Sequence, residues 1–271
     1  MEKISVLMGT YNEKRALAAA AIDSILKQTY QEFEFLICDD GSEKEFYRWL
    51  YNYCKKDERI KLLRNKKNRG LAVALNRCLY SAVGSYIARM DADDVSAEKR
   101  LEKQIAFLHQ HKEYALVGCN AQLIDRNGVW GERRLQKIPD RRAFLHTSPF
   151  IHPSIMMRRE VLEKIHGYSE SIMALRVEDY EMFMRLYAAG YQGYNLQENL
   201  FLYREDRGSF GKRKYRYRLN ECMIRYQGFR SLKIRKGNFR YIVKPLLAGL
   251  IPAGILRKMH IRKFGYRVLG E

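Results

Sequence analysis

The sequence predicts an α/β protein: a Rossmann-like, mostly parallel sheet flanked by helices, followed by a basic helical appendage. Three observations carry that prediction. Short apolar runs alternate with segments of helical period through the first hundred residues, and such alternation makes βαβ units. The loops that follow the apolar runs are crowded with Asp, Asn and Gly, and the last quarter of the chain holds most of its excess positive charge.

The elements follow in order. Ile4–Met8 reads as a buried strand, Leu17–Lys27 as a helix with Ile22, Ile25 and Leu26 inward, Phe33–Cys38 as the second strand and Glu43–Lys56 as the second helix. Ile60–Arg64 is a third strand, Leu71–Ser81 a helix, Tyr86–Met90 a fourth strand, and Ala97–His109 a helix before strand-like Ala115–Cys119. Beyond Gln122 the order weakens: Asp125-Arg126-Asn127-Gly128 marks a hairpin turn, Ser154–Met157 a strand, Arg159–Ile165 and Tyr180–Ala189 helices, and Leu200–Tyr203 a last strand.

A chain of 271 residues, 46% hydrophobic and 30% charged, can bury a sizeable core, which sets aside disorder and fibrous repeats. The apolar N-terminal run breaks at Gly9-Thr10-Tyr11-Asn12, too early for a signal peptide, so a cytoplasmic protein is expected. Cys38, Cys54, Cys78, Cys119 and Cys222 form no close pair, so neither a disulfide framework nor a four-thiolate zinc site is expected.

Residues 204–271 carry 19 basic and 4 acidic side chains of the 50 and 31 in the whole chain. Leu219, Cys222, Met223, Tyr226 and Phe229 recur at helical spacing after Lys212-Arg213-Lys214, an amphipathic basic helix. The apolar run Pro245–Leu256, flanked by Lys244 and Arg257-Lys258, falls short of the roughly 20 residues that cross a bilayer. Residues 212–271 are therefore expected on an anionic membrane surface, at the inner face of the cell membrane. A nucleic-acid partner is not expected, since no zinc-finger spacing or aromatic RNA-binding signature accompanies the charge.

Ligands of such sheets sit outside the carboxyl ends of the strands. Those ends carry Gly9-Thr10-Tyr11-Asn12, Asp39-Asp40-Gly41-Ser42, Asn65 to Gly70 and Asp91-Ala92-Asp93-Asp94. Three acids in four positions repel one another, and a hard cation, Mg²⁺ or Mn²⁺, relieves that repulsion while gripping substrate phosphates. Capping of the next helix by Asp94 or Ser96 is compatible with this. Asp39 or Asp40 can accept a hydrogen bond from a base, such as uracil N3–H, with Tyr11 stacked on it; ordinary turn chemistry accounts for the same residues. No dinucleotide fingerprint or P-loop is present.

Thr10-Tyr11-Asn12, Asp39-Asp40-Gly41-Ser42, Asn68-Arg69-Gly70-Leu71 with Asn76, Asp91-Ala92-Asp93-Asp94, His152-Pro153-Ser154, Gly167-Tyr168 and Glu178-Asp179-Tyr180-Glu181 together resemble the family 2 glycosyltransferases of the GT-A fold. The resemblance covers about residues 3–204. It implies a catalytic domain over 1–204, with a nucleotide-sugar half (1–120) and an acceptor half (121–204), and a basic tail over 205–271. It further implies that Thr10, Tyr11, Asn12, Asp39 and Asp40 hold the nucleobase side of the donor and that Asn68 and Gly70 lie near ribose and phosphates. Asp91 and Asp93 match the family's Asp-x-Asp signature, with Asp93 and Asp94 as the metal ligands, and Asp179 matches the proposed catalytic base of inverting members. Arg204 is expected near the diphosphate.

The implied partners are a nucleotide-sugar donor, UDP by preference, and a glycan or lipid-linked acceptor. The Gln-x-x-Arg-Trp signature of processive synthases is absent, so a single sugar addition in cell-surface polysaccharide synthesis is expected. Two rival readings are a nucleotidyltransferase, for which the N-terminal glycine-rich basic loop is missing, and a non-catalytic nucleic-acid-binding protein using the tail.

Overall fold

The computed structural model describes residues 2–205 and 215–266. Among the described residues nine strands form one sheet: β1 (Ile4–Thr10), β2 (Phe33–Asp39), β3 (Ile60–Arg64), β4 (Tyr86–Asp91), β5 (Val95–Ser96), β6 (Leu116–Asp125), β7 (Gly128–Arg133), β8 (Met156–Arg158) and β9 (Gly193–Arg204). The helices of the body are α1 (Arg15–Leu26), α2 (Lys44–Cys54), α3 (Leu71–Ser81), α4 (Arg100–Gln110), α5 (Arg159–Lys164) and α6 (Glu178–Ala188).

The strand order is β3-β2-β1-β4-β8-β6-β9-β5, with β7 paired to β6. The β3-β2-β1-β4 half is parallel, as helical crossovers require. The second half departs from the expected mostly parallel sheet: β8 runs antiparallel to β4 and β6, β7 to β6 and β5 to β9, while β6 and β9 are parallel. The reason lies in the connections. The short turn Asp125–Gly128 makes a hairpin, and only two short 3-10 segments, Arg141–Leu145 and His152–Ser154, lie between β7 and β8, with no α-helical crossover.

Both faces of the sheet are covered. Ile4, Val6 and Met8 of β1 and Phe33, Phe35 and Ile37 of β2 face the layer of α1, α2 and α4, whereas Leu7, Leu36 and Cys38 face α3, α5 and α6. The period of two in the sequence thus appears as two separate cores. All five cysteines are free thiols, four of them buried.

The appendage differs from expectation. Its helices are α7 (Tyr215–Ser231), α8 (Phe239–Leu250) and α9 (Ala253–Phe264); Lys212–Lys214 lie outside the described residues. Ile224, Phe229, Leu232 and Ile242 join the core built on α3, α5 and α6, so α7 and the start of α8 belong to the body. The buried face of α7 is Ile224, Arg225 and Phe229; Leu219, Met223 and Tyr226, of the expected amphipathic face, are exposed. No residue of α9 is buried.

Candidate active site

The register of the parallel half sets Thr10 opposite Asp39 and Gly9 opposite Asp91, which brings three loops to one edge. Above that edge lies a cleft of about 580 Å³ lined by five of the expected residues, Thr10, Tyr11, Asp40, Asn68 and Gly70. Glu178, from the motif of Asp179, lines it too, as do Glu13, Arg176, Arg216 and Tyr217, none of which the sequence assigns to the site. Arg216 and Tyr217 come from α7, so the supposed tail supplies a wall of the cleft.

The second loop is fastened rather than free. Asp40 is buried, and its carboxylate accepts hydrogen bonds from Asn65 Nδ2 (2.7 Å), Arg69 N (3.0 Å to Oδ2) and Gly70 N (2.7 Å). At about 1 kcal/mol or more each for bonds to a charged acceptor, these hold the 65–70 segment over the cleft. Gly41 is needed beneath it, since its φ is +77° and a Cβ there would stand 2.5 Å from the Lys67 carbonyl carbon. The uracil contact expected of Asp40 therefore meets a carboxylate already occupied by the protein.

Asp39 is fully buried, which raises its pKa; Oδ1 accepts from Ser42 N (3.3 Å) and Oδ2 forms an ion pair with Arg64 Nε (3.2 Å) without hydrogen-bond alignment. Asn12, in the left-handed region at φ 48°, fixes the loop: its N–H donates to Ser42 Oγ and its Oδ1 accepts from Glu43 N, the N-cap residue of α2. Thr10 Oγ1 is buried with no protein partner and Tyr11 is half exposed, leaving both available to a ligand.

The acidic loop is strongly polarised. Fully buried Arg89 holds Asp91 at 2.5 Å. Asp93, enclosed and facing Asp91 and Glu13, has its pKa pushed up to about 6, chiefly by burial. Asp94 is raised for the same reasons; its Oδ1 accepts from Arg204 N (2.6 Å), while Oδ2 is buried without a protein partner. Arg204 does not line the cleft: its Nε donates to Asp93 O (2.8 Å), which ties the end of β9 to this loop. Among the described residues no set of three or more His, Cys, Asp or Glu side chains could hold a metal alone. The carboxylate of Asp93, crowded by Asp91 and Glu13, and the unpartnered Asp94 oxygen nevertheless fit a divalent cation whose remaining ligands are substrate oxygens.

Asp179 lies one residue from Glu178 at the start of α6, and helical rotation turns the two apart. Glu178 lines the large cleft; Asp179 lines an adjoining cavity of about 210 Å³ with Arg133, Thr147, Ser148, Tyr180 and Arg225. Arg176 borders both cavities from a left-handed conformation (φ 71°), a costly backbone state of the kind concentrated at functional sites. The remaining motif residues are fasteners. Asn76 exchanges hydrogen bonds with Tyr168 N (2.9 Å) and O (2.8 Å), and buried His152, held well below its usual pKa by burial and Arg89, contacts Tyr168 Oη at 2.9 Å.

Similarity to known proteins agrees with this geometry. The description Glycosyl transferase family 2 matches residues 5–166, and Glycosyl transferase family group 2 matches residues 86–269. The chain is 40% identical over 262 residues to EpsE of Bacillus subtilis, named as a glycosyltransferase, covering 96% of this chain and 94% of that protein. It is 33% identical over 191 residues to the O-antigen biosynthesis glycosyltransferase WbnJ of Escherichia coli, covering 69% and 72%.

Among solved structures, Staphylococcus aureus TarS 1–349 with UDP-GlcNAc superposes with a TM-score of 0.67 at 18% identity, covering 92% of this chain and 71% of that one. The Pyrobaculum calidifontis mannosyltransferase PcManGT with GDP-Man and Mn²⁺ gives 0.63 at 19% identity, covering 96% and 79%. At those identities the structures show the shared GT-A fold. On the strength of the family match and of EpsE along almost its whole length, this chain belongs to glycosyl transferase family 2.

Proposed function

We propose that the protein is an inverting transferase that moves one sugar from a nucleotide-diphospho-sugar to a glycan or lipid-linked acceptor in cell-surface polysaccharide synthesis. One observation carries the reading: the cleft at the strand ends and the cavity of Asp179 adjoin at Arg176, which sets a donor site and a carboxylate side by side. The polysaccharide context follows the name of WbnJ.

Tyr11, Thr10, Asn68 and Gly70 would receive the nucleoside, and Arg216, on the opposite wall, would meet the diphosphate. Asp93, with Asp91 and Asp94 beside it, would hold Mn²⁺ or Mg²⁺, which supplies Lewis-acid stabilisation of the leaving diphosphate. Asp179 takes the proton of the acceptor hydroxyl as that oxygen bonds to the anomeric carbon and the bond to the diphosphate oxygen breaks; attack from the far side inverts the carbon. UDP is the first donor to test, following the nucleotide sugar named for the TarS complex that shares the fold. Isothermal calorimetry with UDP, GDP and CDP, each with Mn²⁺ and with EDTA, should show metal-dependent binding of one diphosphate. Binding of none would refute the donor site.

We place the enzyme on the inner membrane face through α8 and α9. No single described helix is long and apolar enough to cross a membrane, though α8 and α9 together, bent by 120°, pass that test by length and composition. Leu247, Leu250, Ile255 and Met259 are exposed, and Lys244, Arg257, Lys258, Arg262 and Lys263 accompany them. That pairing of apolar surface with cations suits an anionic interface, each cation adding about 1 kcal/mol. The double variant Leu250→Glu with Ile255→Glu touches no core residue and should weaken flotation with phosphatidylglycerol-containing vesicles at least tenfold. Unchanged flotation would remove this surface from membrane binding.

A further inference from the structure

We infer that the cavity beside Asp179 selects an acceptor sugar bearing an anionic group, a phosphoryl or a carboxylate, and that Arg133 binds it. The inference rests on the reading of Asp179 as the base of the acceptor site. Three guanidinium groups, Arg133, Arg176 and Arg225, border this cavity of about 210 Å³ against two carboxylates, Asp179 and Glu221.

The arginines are not equivalent. Arg225 is buried and spent within the protein: it pairs with Glu221 at 3.0 Å, donates to Leu145 O at 3.0 Å and lies over the Tyr180 ring. Arg133, at the end of β7, has no carboxylate partner among the described residues. Its strand is fixed by pairing with β6, where Arg133 stands opposite Ala121, and by the hydrogen bond of Trp130 Nε1 to Glu205 O. A rigid hairpin thus delivers an unneutralised cation to the edge of the cavity that holds the base. Thr147 and Ser148 add hydroxyls to the same wall.

A neutral sugar gives that guanidinium no counter-charge. An anionic group on the acceptor does, by a charge-assisted and often bidentate contact, and it offsets the repulsion the anion meets from Asp179. The contact would also orient the ring, so that a chosen hydroxyl faces Asp179.

Binding to the full-length protein saturated with UDP and Mn²⁺ tests this, with two probe pairs that differ only in the anion: N-acetylglucosamine 1-phosphate against N-acetylglucosamine, and glucuronate against glucose. At least one anionic probe should bind tenfold or more tightly than its neutral partner, and which pair responds tells phosphoryl from carboxylate. Arg133→Gln should erase the preference, Arg133→Lys should keep part of it, and UDP affinity should be unchanged in both, which certifies the fold. Equal binding of charged and neutral probes, binding of neither, or a preference that survives Arg133→Gln would overturn the inference with the donor site intact. A wild-type protein that binds no UDP would instead overturn the donor reading, and the inference with it.

Discussion

Asp179→Asn is expected to abolish sugar transfer, lowering kcat by about 10²–10⁴, the usual worth of a positioned general base. The substitution keeps the shape of the side chain but removes its charge and its capacity to take a proton. Asp179 borders the smaller cavity and not the cleft that would receive the nucleotide, so donor affinity should stay within about twofold. Steady-state kinetics paired with calorimetry check both statements. A variant that loses donor binding, or keeps its rate, would take Asp179 out of the base role.

Asp93→Ala should raise the Kd for the nucleoside diphosphate with Mn²⁺ about 100-fold or more, because the contact of cation and diphosphate loses its protein anchor. The same residue sets a pH dependence. With a pKa near 6, Asp93 is protonated at lower pH and cannot ligate, so metal-dependent affinity should fall as pH drops through about 6. Stability runs the other way. A folded-state pKa raised above the 3.8 of a free aspartate means that the native protein binds the proton more tightly, so the metal-free protein should gain stability as pH falls from about 6 towards 4. Asp93→Asn should likewise stabilise the metal-free protein at neutral pH, by up to about 3 kcal/mol, at the expense of ligand binding. Thermal melts at pH 5 and pH 7.5, with and without Mn²⁺, read both effects. An Asp93→Ala protein with wild-type affinity would refute its part in the site.

The parallel half of the sheet was legible because its strands are buried on both faces and divided by clear helices. β3 and α3 fall on the expected residues, and most other ends shift by one to three. The second half hid its pairing. β9 begins at Gly193, seven residues before the apolar Leu200–Tyr203, since polar Gln197, Glu198 and Asn199 mask it where extra residues in β9 break its regular pairing with β6. In the tail, Leu219, Met223 and Tyr226 share helical spacing with Phe229 but stay exposed, and Arg225 is buried because Glu221 and three carbonyls meet it, which no spacing rule reveals.

Local motifs named the loops at the strand ends but not their division of labour. Asp40 and Asn12 hold loops together, Thr10 and Tyr11 line the cleft, and Arg204 serves the acidic loop. Arg176 carries no local signature, and Arg216 belongs to a basic run that reads as a surface segment; only the chain fold sets them on the cleft.

The central claim is that the protein breaks the bond between the anomeric carbon and the diphosphate. Following a UDP-α-sugar with the protein and Mn²⁺ by real-time ¹H and ³¹P NMR tests it most directly, with water as the acceptor in the absence of another. The expected products are UDP and a sugar that is first seen as the β anomer. Appearance of a sugar 1-phosphate would mean cleavage between the phosphates, as in a nucleotidyltransferase, and an α anomer formed first would contradict inversion.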